Sequence, residues 1–511
     1  MKSFIRIKNI DGRNYAYEIT PYYDPKTKNT KQKSKYLGKY EDGEINRPRS
    51  KLPKATYDYG EFLPFMKIID ELAISEILQS LLTKDQANTI LTLTLNRLIK
   101  PVAMANVRIW YKGTYLSKLY GDLHLSSQSL SEFMGRIGTS RVPMDFSKAF
   151  IKKVGNDTPL LYDITSMSST SRLMDILEYG YNRDYEPLPQ LNISMIAHKN
   201  KGMPLFFDVH PGSITDVTTL ENTMKKLNAL GFKKPTMILD RGFFSTANLD
   251  EMADKKYNFI IPASFTSKEI KSLISASRND IERGKYLVKY NGMALFVKQV
   301  KLKIGKREVD GFIFYDIKRE KEDKTRFYSR LHTAMECLKN RKLKDWEKPV
   351  QVFENISKEV SGYLHWRVQK GRFEVNVKDN AVSQRVNRMG FTVILQRGNH
   401  SWDEALGWTR ERDAIEKMFK QLKNDIEATP VRAHKTEVTK GWIFITFLSL
   451  ILRSRLTKLL KETELSENYS IPSLLLELSR LKKVRLSDNS IIVTEVTKKQ
   501  RRIFKNLDIT L

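Results

Sequence analysis

A chain of 511 residues with 41% hydrophobic and 10% aromatic content has the length for about two to four domains and the apolar content of a folded protein, which excludes a disordered chain. A net charge of +29 and a pI near 9.7 point to a polyanionic partner, nucleic acid before anionic membrane. The single cysteine, Cys337, excludes an intrachain disulfide, and the lack of a Cys/His pattern or a GxxxxGK[ST] loop argues against zinc and ATP-driven chemistry.

The first sixty residues read as short strands and loops. Phe4 to Ile10 and Tyr15 to Thr20 flank an Asp11-Gly12 turn signal, which predicts a hairpin, and a basic loop from Lys26 to Lys39 follows. From Gly60 to about Met144 the periodicity is helical, with one helix from Asp85 to Ile99 stopped by Pro101. From Pro159 the pattern alternates. Leu160 to Thr165, Asn192 to His198 and Pro204 to His210 read as strands, and Asp216 to Leu230 as a helix. Thr236 to Leu239 is a buried strand that delivers Asp240, and Thr246 to Lys255 and Phe259 to Pro262 are the next helix and strand. This order implies a mixed sheet covered by helices.

Residues 266–390 carry 29 Lys and Arg against 16 Asp and Glu and read as a basic, β-rich insertion. Its strands are Tyr286 to Lys289, Ala294 to Lys303, Phe312 to Ile317 and a hairpin around Lys370-Gly371, with helices between Asp323 and Asn340. Trp346 and Trp366 sit among its cations, where an aromatic such as Trp366 offers a platform for an unpaired base, although core packing is the favoured reading of a tryptophan here. A strand from Phe391 to Leu395 leads into WTRERDAIEKMFKQLKND. At 100° per residue, Arg412, Glu416 and Lys423 fall within about 40° of one another on one helical stripe, with Ile415, Phe419 and Leu422 on the adjoining face. Trp442 to Leu452 is too short to span a bilayer and reads as a buried helix. The tail holds a leucine-rich stretch (Ile471 to Leu481) and a basic run at 498–502, open to dimerisation or to core packing. The divisions expected are 1–59, a helical, DNA-binding module at 60–150, a core at 155–265 and 391–460 split by the insertion at 266–390, and a tail at 461–511.

Three carboxylates stand at meaningful places: Asp163 within a strand, Asp240 at a strand end, and Glu416 on the late helix. Strand ends of such sheets gather function, and clustered carboxylates repel one another unless hard cations neutralise them. Two such ions suit phosphodiester chemistry.

The blocks LYDITSMSS, ILDRGFFSTANLDEM and RERDAIEKMFKQLKND resemble those of bacterial insertion-sequence transposases with an Asp-Asp-Glu site. The second matches the family's D-[RK]-G-[FY] block at Asp240, Arg241, Gly242 and Phe243. The third matches its Y-x2-R-x3-E-x6-K signature at Arg412, Glu416 and Lys423, with Thr409 at the tyrosine position. The resemblance implies a ribonuclease-H-like α/β fold interrupted by a β-rich insertion. It implies Asp163, Asp240 and Glu416 as catalytic metal ligands for Mg²⁺, with Mn²⁺ able to substitute. Arg241, Arg412 and Lys423 would contact DNA. The activity implied is cleavage at terminal inverted repeats and strand transfer of the 3′-hydroxyl into target DNA, by a homodimer on paired ends. A nuclease without strand transfer and a non-catalytic DNA-binding descendant are the alternatives. The single cysteine and the charged opening KSFIRIKNIDGR lead to a cytoplasmic, nucleoid-associated expectation without membrane attachment.

Overall fold

The computed structural model describes all residues except 1–2, 25–28, 47–51, 157–158, 172–173, 181–187, 215, 234, 426–434 and 511. It opens with an antiparallel sheet of β1 (Phe4–Ile10), β2 (Arg13–Asp24), β3 (Asn29–Glu41) and β4 (Glu44–Asn46), in that order. The hairpin forms where Asp11-Gly12 predicts it, both residues taking positive φ as a tight two-residue turn requires. The expected basic loop behaves differently: from Asn29 it is strand, because its backbone completes the ladder with β2 from Asp24–Asn29 to Tyr15–Lys39. Its first residues lie outside the described set. Lys31, Lys33 and Lys35 alternate along β3 and so project from one face, while Arg6 lies over the Phe4 ring and Lys8 over Tyr17.

Seven helices between Leu63 and Val154 follow β5 (Pro53–Asp58), and the Asp85-to-Ile99 helix begins at Lys84 under a Thr83–Gln86 capping box. The strands β6 (Leu160–Ser168), β7 (Gln190–His198), β8 (Met203–Pro211), β9 (Thr236–Ile238) and β10 (Asn258–Pro262) then build the central sheet. β6, β7 and β8 are antiparallel neighbours, whereas β9 runs parallel to both β6 and β10. The spatial order β8-β7-β6-β9-β10, with helices against it, is the mixed, helix-covered sheet that the alternating pattern predicts.

The strands of the insertion form, but their place differs from a separate β unit. β11 (Leu287–Tyr290), β12 (Met293–Ile304) and β13 (Arg307–Tyr315) extend the central sheet beyond β10. What protrudes is the stretch 317–389: the helix Ile317–Asn340, two shorter helices, and the hairpin of β14 (Leu364–Gln369) with β15 (Arg372–Val377), around a small core of its own. β16 (Phe391–Arg397) re-enters the sheet between β13 and β10. Alternation alone does not tell which sheet a strand joins; the register of β13 with β16, from Asp310–Gln396 to Tyr315–Phe391, settles it.

Where the chain leaves and re-enters this sheet, Asp316 N–H donates to the Gly390 carbonyl at 3.0 Å, and buried Glu320 clamps the neck. Its carboxylate accepts from Tyr315 Oη at 2.5 Å, from Lys324 Nζ at 2.9 Å, and from Arg278, whose guanidinium lies over Tyr315 and Phe391. Burial pushes the Glu320 carboxyl up, but the hydrogen bonds from Tyr315, Arg278 and Lys324 outweigh it and hold the group below the ordinary glutamate value. The depressed value means that this stabilisation is present above the ordinary pKa and is lost as pH falls through the folded value. Glu320→Ala strands Arg278 and is expected to cost about 3 kcal/mol or more. Glu320→Gln should flatten the acid limb of a pH–stability curve; an unchanged acid limb rules the clamp out as its source.

The long helix Thr436–Glu462 lies between the helical module and β8, and the main apolar core draws on buried residues from Phe62 to Leu507, the stretch 317–389 excepted. The tail packs rather than projects: β17 (Lys482–Leu486) pairs with β5 and with β18 (Ile491–Val493), and Leu474, Leu478 and Leu481 are fully buried. No described helix is long and apolar enough to cross a membrane.

Candidate active site

Register brings the first two acids together. β6 and β9 are parallel with Leu161 opposite Ile238, and each acid stands two residues further along its chain. Asp163 and Asp240 are therefore level with each other at the carboxyl end of β9. Asp163 is 3% exposed, walled in by strand neighbours. Asp240 caps the 3-10 turn Arg241–Phe243 by accepting from the Arg241 N–H at 2.5 Å. That turn is anchored from below: the Phe243 ring is fully buried and meets Tyr162 edge-on at 5.2 Å, and Asn248 Nδ2 donates to the Phe243 carbonyl at 2.7 Å. The close match of the Asp240-Arg241-Gly242-Phe243 block thus has a mechanical basis. The acid and the buried phenylalanine are set by one tight turn.

The third acid arrives on a segmented helix. Residues 402–411 form one helix under a Ser401–Glu404 capping box; Asp413–Lys420 form the next, and Gln421–Asp425 widen into a π-turn. Arg412 is the joint. The continuous stripe expected from 100° per residue therefore holds for Arg412 and Glu416 but not through Lys423, where the wider turn changes the phase. Ile415, Phe419 and Leu422 are buried as the apolar face predicts, with Met418 buried beside them, seating Glu416 over β6. Upstream, Trp408 lies between the His400 ring at 5.0 Å and Lys199 Nζ at 5.3 Å, and Lys199 also pairs with Glu411 at 2.8 Å. The β7–β8 turn thereby braces this helix, a contact the sequence does not announce. Thr409 turns its hydroxyl back onto the Ala405 carbonyl at 2.8 Å.

The three acids converge on one guanidinium. Arg412 Nη1 stands 3.3 Å from Asp163 Oδ2, and Nη2 stands 3.5 Å from Asp240 Oδ1 and also pairs with Glu416 Oε1. The Arg412 side chain is 13% exposed, while those of Asp163, Asp240 and Glu416 are 4%, 35% and 53% exposed. The site is thus a cleft with a buried acid at its floor and a solvated one at its rim. Arg241 is exposed beside Asp240, and Lys423 is half-buried on the π-turn. Trp366 is placed elsewhere, in the small core of the protruding stretch, stacked on Phe353 at 4.9 Å and near Phe373 at 5.7 Å; Trp346 is far more exposed. The central place of Arg412 is not visible in the sequence. Its i,i+4 spacing to Glu416 is visible in the sequence, whereas its reach to Asp163, 249 positions away, is not.

Three carboxylates without sulfur or imidazole suit a hard divalent cation. Among the described residues no three His, Cys, Asp or Glu side chains stand close enough to share an ion, because the guanidinium lies between the acids. The donor set fits the metal by chemistry and by convergence on a positive group.

The family described as "Transposase DDE domain" matches residues 168–452, more than half of the chain, a stretch that contains Asp240 and Glu416 and begins just after Asp163. No curated protein matches the sequence. Among solved structures, the chain is similar to the piggyBac transposase synaptic complex with hairpin DNA at 10% identity, covering 82% of this chain and 79% of that one with a TM-score of 0.39. It is also similar to the Drosophila P element transposase strand transfer complex at 14% identity, covering 79% and 89% with a TM-score of 0.19. Likenesses this distant carry no weight for the site.

Proposed function

The chain belongs to the transposase DDE-domain family, and from that premise we propose that it is the DNA transposase of an insertion sequence, cleaving at the element's terminal inverted repeats and transferring the 3′-hydroxyl into target DNA. The observation that carries this reading is the convergence of Asp163, Asp240 and Glu416 on a single cationic position. Asp163, Asp240 and Glu416 would hold Mg²⁺, or Mn²⁺ in its place, which supplies the means to activate a water or 3′-hydroxyl and to offset charge on the scissile phosphate.

The chain's own residues do the rest. Asp163 is fixed by its strand and gives the site a rigid floor, while Glu416 at the rim is free to adjust to the incoming backbone. Exposed Arg241, next to Asp240, and Lys423, on the π-turn after the Glu416 helix, would orient the DNA phosphates. The exposed sheet β1–β4, with Lys31, Lys33 and Lys35 on one face, and the basic stretch 317–389 extend the cationic surface that holds duplex DNA away from the chemistry. Two element ends call for two such sites, hence a homodimer on paired ends.

The test is to incubate the protein with Mg²⁺, labelled duplexes carrying the element's ends, and a plasmid. Cleavage at the end and joining of the label to the plasmid are expected. Nicking without joining would make the protein a nuclease alone, and binding without cleavage in any divalent metal would make it a non-catalytic descendant.

A further inference from the structure

We propose that Arg412 is a built-in counter-cation of this site: without DNA its guanidinium holds Asp163, Asp240 and Glu416, and it must turn out to a DNA phosphate before those carboxylates take up divalent metal. The inference rests on the metal-binding reading above and adds the order of events and the coupling between the two ligands.

The geometry carries the first half. One side chain meets all three acids, through Nη1 at 3.3 Å to Asp163 and through Nη2 to Asp240 at 3.5 Å and to Glu416. A planar fork with five donors is suited to this, whereas a compact ammonium is not. The same oxygens cannot serve both occupants. A Mg²⁺ ion draws its oxygen ligands to about 2.1 Å, and the acids are spread around a guanidinium instead. Leaving three buried or half-buried carboxylates with no cation would be costly, so the acids need Arg412 while metal is absent. With it in place the cluster still carries net negative charge, which keeps it attractive to a divalent ion.

The second half follows from the position of Arg412 in the chain. Arg412 is the one residue between the helix ending at Glu411 and the helix starting at Asp413; its backbone is helical, with φ −56° and ψ −25°, and its guanidinium reaches the acids at the end of a long side chain with several rotatable bonds. The neighbouring segments are held independently, the first by Trp408 against His400 and Lys199, the second by Ile415, Met418 and Phe419 in the core. Arg412 can therefore exchange partners without unseating Glu416. Arg241 is exposed and next in the chain to Asp240, so a phosphate drawn to it approaches the same acids. Any phosphate that binds Arg412 outward raises metal affinity, and by linkage metal raises DNA affinity equally.

Mn²⁺ binding to the full-length protein, read by electron paramagnetic resonance or calorimetry, tests this without reference to activity. In the absence of DNA, Arg412→Ala is expected to bind Mn²⁺ about tenfold more tightly than wild type, in the range of ordinary coupling. Duplex DNA carrying an element end should tighten Mn²⁺ binding to the wild type by a similar factor and to Arg412→Ala hardly at all. Equal or weaker Mn²⁺ binding by Arg412→Ala overturns the proposal and leaves Arg412 as a structural ion-pair partner. Should the alanine variant not fold, Arg412→Lys, which keeps the charge but loses the fork, gives the same decision by tighter or unchanged binding. Glu416→Gln separates the two layers of inference. If it weakens Mn²⁺ binding while Arg412→Ala fails to strengthen it, only the counter-cation role falls; if no substitution at Glu416 or Asp163 alters Mn²⁺ binding, the metal reading of the acids falls with it.

Discussion

Glu416→Gln is expected to reduce end cleavage by about 10³-fold or more while leaving the melting temperature close to that of wild type. The magnitude is that of removing a group that stabilises charge developing in a transition state. The unchanged stability follows from exposure: the Glu416 side chain is about half exposed, and an ion pair so solvated adds little to folding. Asp240→Asn should behave likewise, with the amide oxygen still able to cap the Arg241 turn. Asp163→Asn should lose cleavage to the same degree but also some stability, because this carboxylate is buried against Arg412. The three losses should not add, since the acids act as one unit, and a double variant should be about as inactive as either single one. Cleavage within tenfold of wild type in any of the three, in folded protein, would remove that residue from the site.

The second large effect concerns a place far from the chemistry. The helix Ser127–Thr139 crosses the long helix Thr436–Glu462 at two glycines, Gly138 and Gly441. A Cβ on Gly138 would lie 1.9 Å from the Glu437 carbonyl oxygen, and one on Gly441 would lie 2.2 Å from that of Met134. Both obstacles are backbone, so nothing but separation of the helices relieves them. Leaving glycine within a helix gains at most about 1 kcal/mol, whereas overpacking of this kind costs about 1–3 kcal/mol and sometimes more. The clash wins. Gly441→Val is expected to destabilise the protein by about 3 kcal/mol in urea unfolding and to loosen the helical module from β8. Gly135 on the same helix is the control, because its Cβ would meet only a Val438 methyl at 3.8 Å. Gly135→Ala should be neutral or slightly stabilising. If Gly441→Val and Gly135→Ala had the same effect, the close crossing would not be what holds these helices together.

What the sequence made legible follows the range of the forces involved. The Asp11-Gly12 hairpin, the 3.6-residue periodicity between residues 60 and 144, the five strands β6 to β10 and the apolar face of Ile415, Phe419 and Leu422 are local patterns, and each element forms close to where its pattern lies. The Lys26-to-Lys39 stretch was opaque because its lysines obscure a strand that only pairing with β2 completes. The interruption of the late helix at Arg412 leaves no glycine or proline to read.

Composition, periodicity and motif spacing are properties of neighbouring residues, so a basic chain of alternating strands and helices with three acids in recognisable blocks can be read directly along it. It takes the folded chain to show that β11, β12 and β13 extend the central sheet, that the tail packs beside β5, and that Asp163, Asp240 and Glu416 meet around Arg412. Those outcomes depend on strand register and on contacts between residues far apart in the chain, 249 positions for Asp163 and Arg412 and 424 for Asp58 and Lys482. Side-chain period constrains which face a strand buries, but not which neighbour it finds.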